Sequence, residues 1–283
     1  MSRVTSLLDA VVTVKPTKAG ELQVVEPLGP RGRRRALIGT ALSVILLALL
    51  VAWVVRRFQL KGQFKAELWA PFRQWAIWKF LLLGLVNTLK AAGLALALSL
   101  LIGTGMALAR TGPSRPGRLA SAVYVEGFRA CALVLLITFM FYQLSHWFKG
   151  WSLSTYGFVA VVAGLTLYYS TVFAEVIRSA MGSLPTGQRE AGLSVGLTEW
   201  QTQRLVVLPQ AWKRALPNTV TQAASLVKDT SLGYFVTYAE LAYRADQLGA
   251  AYDNKLQSFV VAGAIYVAVI AIIRGVASRL QPR

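Results

Sequence analysis

Apolar runs long enough to cross a bilayer, separated by short polar joints, limit what this chain can fold into. Such runs cover about 36–55, 80–108, 120–144, 156–181, 217–241 and 256–276. Each meets or exceeds the roughly 20 residues a helix needs to traverse the hydrocarbon layer. Lipid offers no partner for a backbone amide, so runs of this kind are helical. Of the 283 residues 55% are hydrophobic, and 8 Trp, 10 Tyr and 12 Phe suit a boundary between lipid and water. The fold class that follows is all-α: a polytopic, multi-pass protein of the cell membrane with about six transmembrane helices.

The joints carry the charge. Residues 1–35 read as a polar, disordered cytoplasmic tail punctuated by Pro16, Pro27 and Pro30. It is too long and polar to be the front of a cleaved secretory signal. Arg31, Arg33, Arg34 and Arg35 precede an N-terminal transmembrane helix at 36–55. A mixed outer or interfacial segment, 56–79, interleaves Trp69, Phe72, Trp75 and Trp78 with Lys61, Lys65, Arg73 and Lys79. It suits either a helix lying in the interface plane or a structured loop. The main membrane body is 80–283. Counted with the arginines before the first span, Arg178 and those at the C-terminal end, the joints at 110–118 and 182–215 belong to a side with fourteen basic residues against nine in the alternate joints, which places both termini in the cytoplasm by the positive-inside rule. The net charge of +18 is spent on topology and on anionic lipid headgroups rather than on nucleic acid.

Catalytic constellations are not found. The single Cys131 excludes an intrachain disulfide, and His146, the one histidine, has no ligand set around it. The sequence lacks a G-x-x-x-x-G-K-[ST] phosphate loop. What remains are ionisable groups inside apolar runs, costly unless paired or wet and therefore candidate pathway residues. These are Lys90, Arg129, Glu175, Arg178, Lys228 and Asp229. Glu175 and Arg178, three apart, share a helix face as an ion pair. Lys228 and Asp229 are adjacent, so each is expected to find another partner; Thr230 and Ser231 continue this polar break.

A short polar island between apolar runs is Glu190-Ala191-Gly192-Leu193-Ser194-Val195-Gly196, followed by Val206-Val207-Leu208-Pro209. A helix is predicted over 188–195, stopped by Gly196. Thr198 and Gln201 have capping-box spacing and restart a second helix, which Pro209 is expected to end. The pattern resembles the EAA loop of ABC import permeases, and its specified positions Glu190, Ala191, Gly192, Gly196, Val206, Leu208 and Pro209 are all met. Further matches to the polar amino-acid branch are Asn87-Thr88-Leu89, Tyr124-x-Glu126-x-Phe128-Arg129, Leu208-Pro209-Gln210-Ala211 and Lys228-Asp229-Thr230-Ser231-Leu232. They extend from about residue 80 to the end. Phe128-Arg129-Ala130-Cys131-Ala132-Leu133 departs from the family's F-R-G-T-P-L. The tail, first span and outer segment resemble glutamate-type permeases of high-GC Gram-positive bacteria.

The resemblance implies a type I ABC importer permease fold whose loop at 182–215 forms coupling helices. It implies a transport subunit without cofactor or catalysis of its own, with ATP and Mg on separate ATPase subunits. The implied partners are those ATPases, a second permease subunit, the same or related, and an extracellular solute-binding protein. The cargo would be a polar amino acid, first of all glutamate, moved by alternating access. Glu190 is expected in the first turn of its helix, favoured by the dipole. An ion-coupled secondary carrier is the alternative; it would use the embedded charges as a relay and would show inverted repeats, which the sequence does not display.

Overall fold

The computed structural model describes residues 29–280; the expected tail lies mostly outside the described residues, as do 281–283. The chain divides into two compact units, 1–64 and 65–283. The first contains one long helix, α1 (Pro30–Leu60). Helix α1 starts before the apolar run because Pro30, in its first turn, has the backbone angle a helix needs and no amide to leave orphaned. Residues 30–35 are therefore helical, a correction to the tail's expected boundary.

The second unit opens with a 3-10 segment, Ala66–Arg73, of the segment read as interfacial. It is a docked loop rather than an independent helix. Pro71 is buried, Asn254 Nδ2 donates to the Leu68 carbonyl at 2.8 Å, and Trp78 Nε1 to that of Phe72 at 2.8 Å. There follow α2 (Trp75–Thr111), α3 (Arg115–Ala130), α4 (Leu133–Trp147), α5 (Leu153–Gly182), α6 (Thr186–Ser194) and α7 (Glu199–Thr202). A π turn, Gln203–Val207, leads into α8 (Leu208–Asp229), a 3-10 segment Thr230–Val236, α9 (Leu241–Ala251) and α10 (Lys255–Leu280). Among the described residues there is no strand.

Among the described residues four helices are long and apolar enough to cross a bilayer: Arg34–Leu60 in α1, α2, α5, and Lys255–Gly275 in α10. The expected continuous span at 120–144 is instead the pair α3 and α4, bent by 100°, which adds a fifth crossing if counted as one. Neither glycine nor proline causes the break; Cys131 and Ala132 simply take extended backbone angles. Packing drives it. The first helix is held by Ser121 Oγ on the Met106 carbonyl (2.8 Å) and by Tyr124 on Ser170 (2.8 Å), the second by Ile137 seated on Gly164. The expected apolar run at 217–241 is also broken. Helix α8 continues through Pro217, and the chain after Asp229 tightens into the 3-10 segment and turns at Thr237, whose φ is +54°. The polar stretch beyond is the amphipathic α9.

Helix α5 is the axis. Sixteen of its residues, Phe173, Leu165 and Ile177 among them, are buried by α2, α4 and α8. Against it α2 presents small residues at helical spacing: Ala91, Ala92, Ala95, Ser99, Gly103 and Ala107. Lipid supplies no hydrophobic drive for helices to associate, so close backbone approach and its dispersion contacts must hold them. A Cβ added at Gly103 would lie 2.7 Å from the Ser170 carbonyl oxygen and 3.0 Å from the Ala174 nitrogen.

A second fastening involves a carboxylate. Glu240 is fully buried and caps α9, accepting the Ala242 amide at 2.9 Å and that of Tyr243 at 2.7 Å. It also accepts the hydroxyls of Thr88 from α2 (3.4 Å) and Tyr266 from α10 (2.5 Å). Neutral donors thus satisfy it, and one residue ties three helices together.

Replacing Gly103 by leucine should wedge α2 from α5 and cost about 1–3 kcal/mol, lowering the thermal midpoint in detergent by several degrees. Gly93→Ala, where an added Cβ meets nothing within 4 Å, should leave that midpoint unchanged or raise it slightly.

Candidate functional site

The polar island folds as a hairpin at one end of the second unit. Helix α6 stops at Ser194, and Gly196 at φ +86° reverses the chain, a left-handed conformation that favours glycine. The capping box forms as expected: Thr198 Oγ1 accepts the Gln201 amide, and the Gln201 side chain accepts that of Thr198. Arg189 crosses from α6 to the Glu199 carboxylate of α7 at 2.6 Å, and Gln210 Nε2 reaches back to Gln188 Oε1 at 2.9 Å. Gly192 is the tight point. It is buried, and an added Cβ would stand 2.7 Å from Thr202 Cγ2.

Two expectations for the hairpin need correction. Glu190 lies beyond the first turn of α6, which starts at Thr186 and has no acidic residue there, so the dipole argument does not apply. Pro209 does not end a helix; it sits in the first turn of α8. The π turn makes this possible, because Leu208 donates to the Gln203 carbonyl and the ladder is already shifted where proline's missing amide falls.

Of the motif residues, Glu190, Ala191, Gly196 and Pro209 are exposed, Val206 and Leu208 half-buried. Leu193, Val195, Trp200 and Leu205 add exposed apolar side chains to the same hairpin. Its root is fixed. Val207, Ala211 and Ala215 pack with Ala107, Ile177, Ala180 and Met181. Arg214 Nη1 donates to the Ser183 carbonyl at 2.7 Å, and Gln203 Nε2 to that of Thr111.

The charges form separate groups. Glu175 and Arg178 make the expected pair, with Nε to Oε2 at 2.9 Å and Nη2 to Oε1 at 2.5 Å. The charges of Arg110 and Arg129 also act on Glu175, while Arg110 bonds Glu126 at 2.9 Å. Arg129 is exposed at the break between α3 and α4 and makes no ion pair among the described residues. A cavity of about 350 Å³ lies beside this group, lined by Glu175, Ser179, Ser183, Arg214 and Asn218.

Lys228 and Asp229 were expected to turn to other partners. They instead face each other at 3.6 Å, because α8 ends at Asp229 and a lysine side chain is long enough to curl over that end. Asp229 gains a second partner in Tyr169, whose hydroxyl donates at 2.7 Å. Thr230 is buried with its hydroxyl on the Val227 carbonyl at 2.7 Å. Ser231 is half-buried and lines a cleft of about 490 Å³ with Phe235, Asp246, Lys255 and Phe259. Lys90 is exposed on α2 and pairs with no carboxylate among the described residues. Sequence reasoning missed Tyr169 and Gln203. Tyr169 meets its partner across a separation of 60 residues, and Gln203 lies between motif positions.

A bundle built on α2 and α5 that carries this hairpin is the fold of the type I ABC importer permeases. The chain belongs to the family described as binding-protein-dependent transport system inner membrane components, whose profile matches residues 99–283. It is 35% identical over 221 residues to the glutamate transport system permease GluD of Corynebacterium glutamicum, covering 78% of this chain and 81% of that one. To the glutamine transport system permease GlnP of Escherichia coli K12 it is 30% identical over 211 residues, 74% of this chain and 95% of the other. A solved amino acid ABC transporter with histidines superposes with a TM-score of 0.64 at 25% identity, over 72% of this chain and 93% of that chain. The MetNI methionine ABC transporter in inward-facing form gives 0.61 at 21% identity, over 74% and 97%.

Gly192→Leu should force Thr202 aside and loosen α6 from α7. Amide exchange across 186–202 is expected to accelerate about tenfold or more, with exchange in α2 and α5 unchanged.

Proposed function

We propose that this permease subunit carries an acidic amino acid, glutamate first, into the cell, driven by ATP hydrolysed on separate ATPase subunits. Both termini would face the cytoplasm. Two permease subunits, this chain with itself or a related one, would receive cargo from an extracellular solute-binding protein. The observation that carries the reading is the hairpin: a rigid pair of short helices with exposed Leu193, Val195, Trp200 and Leu205, rooted in the helix ends of α2, α5 and α8. Such a surface buries well in a groove of a partner and passes displacement on as a rigid body. Closure of the ATPases around Mg-ATP would draw the hairpins together and reopen the cavity on the other side, which is alternating access. Glu190, Ala191, Gly192, Gly196, Val206, Leu208 and Pro209 are the docking residues in this scheme.

The cargo follows from charge. Arg129, Lys90 and Lys228 are exposed cations along the membrane body, and of these Lys228 alone makes an ion pair among the described residues. A permease whose path is lined by exposed cations would favour an anionic amino acid over its amide, and permeases for glutamate are among the similar proteins. Glu175, Arg178, Asp229, Thr230 and Ser231 would complete the pathway. A secondary carrier draws no support from the family to which the chain belongs.

The test is uptake of labelled glutamate by proteoliposomes holding the complete complex. Uptake should need internal ATP and should be competed by glutamate in excess over glutamine; uptake without ATP would refute the scheme. Arg129→Gln should lower glutamate uptake about tenfold, as for the loss of one charge-assisted contact, while hydrolysis persists. Gly196→Asp should insert in the membrane yet abolish transport.

A further inference from the structure

Gln203 stands at no motif position, yet its side chain is placed as a strut. It opens the π turn between α7 and α8, is 5% exposed, and sends Nε2 to the carbonyl of Thr111, the last residue of α2. Its Oε1 has no hydrogen-bond partner among the described residues. The polar hold of the carboxamide is therefore this single bond. Among the described residues it is also the one hydrogen bond that joins the hairpin, 186–207, to α2. The remaining fastenings at the hairpin's root are the apolar cluster, in which Val207 packs with Ala107 of α2, and the bond from Arg214 of α8 to the Ser183 carbonyl at the end of α5.

Helix α2 then carries the connection along the bundle. From Thr111 back to Thr88 is about 35 Å of unbroken helix at 1.5 Å per residue. At Thr88 the hydroxyl donates to Glu240 and accepts the Leu241 amide at 3.2 Å, meeting the buried carboxylate that joins α9 and α10. A displaced hairpin thus has three rigid outputs: α8, continuous with its π turn, α5, tied to α8 by Arg214, and α2, held by Gln203 and the apolar cluster.

We infer that Gln203 is a positioning residue for energy coupling: its bond to Thr111 makes α2 follow the hairpin, so that ATP-driven movement at one end reaches the Glu240 corner at the other. The inference rests on the proposed function. An ordinary role for Gln203 would be to satisfy an orphan carbonyl at a helix end, and the two roles give different stoichiometries.

The experiment uses the complete complex in proteoliposomes, with ATP hydrolysis and glutamate uptake read in the same vesicles. Wild-type uptake driven by ATP supports the proposed function; its absence would overturn that reading and the inference built on it, whereas a wild type that transports isolates the role of Gln203. Gln203→Met keeps length and packing but cannot donate. It should hydrolyse ATP within about twofold of wild type while uptake falls about fivefold or more, so that more ATP is used per glutamate. If Gln203→Met does not assemble, Gln203→Asn, polar but one carbon short of Thr111, is read in the same way. Unchanged stoichiometry would overturn the inference, as would a parallel fall of hydrolysis and uptake, since that marks a fold or docking defect.

Discussion

The seam between α2 and α5 is the constraint on which the rest depends. At Gly103 the two helices stand so close that a methyl group would strike the Ser170 carbonyl. Such proximity replaces the hydrophobic drive that lipid cannot supply. With α5 fixed as the axis, α4 can seat Ile137 on Gly164, α8 can lay Ala211 and Ala215 beside Ile177, and the hairpin acquires a rigid root. A looser seam would leave the hairpin attached to helices free to slide independently. In the proposed scheme, rigid transmission would be a property of small residues deep in the bundle as much as of the hairpin itself.

What was legible in the sequence was what local chemistry decides. The ends of α5 lie within three residues of expectation, because an uninterrupted apolar run between polar joints leaves little choice. The Gly196 turn and the Thr198 capping box were readable for the same reason: each is satisfied by atoms a few residues away. The break at Cys131–Ala132 was not readable, since no residue there prefers to leave a helix and distant contacts on α3 and α4 impose it. Proline misled in the opposite sense. Pro209, read as a helix end, sits in the first turn of α8, where the π turn has already shifted the hydrogen-bond ladder. The hidden carboxylate of Glu240 depends on Thr88 and Tyr266, brought to it only by the fold.

The candidate site shows the same division. The hairpin could be recognised because its motif is contiguous, and Glu175–Arg178 because they share a helix face. Asp229 with Tyr169 joins residues on two different helices. The embedded charges, moreover, do not gather into one centre. The Glu175 group and the Lys228–Asp229 group are both built around α5 and α8, and Arg129 and Lys90 are left without carboxylate partners among the described residues.

The account rests on the hairpin lying on the cytoplasmic side, where ATPases can reach it. The direct measurement places a cysteine at exposed Ala191 in a Cys131→Ser background and treats intact cells with a membrane-impermeant maleimide. Ala191→Cys is predicted to stay unlabelled until the membrane is opened, and then to react fully. Labelling of intact cells would put the hairpin outside and contradict the orientation, the partner and the direction of force together.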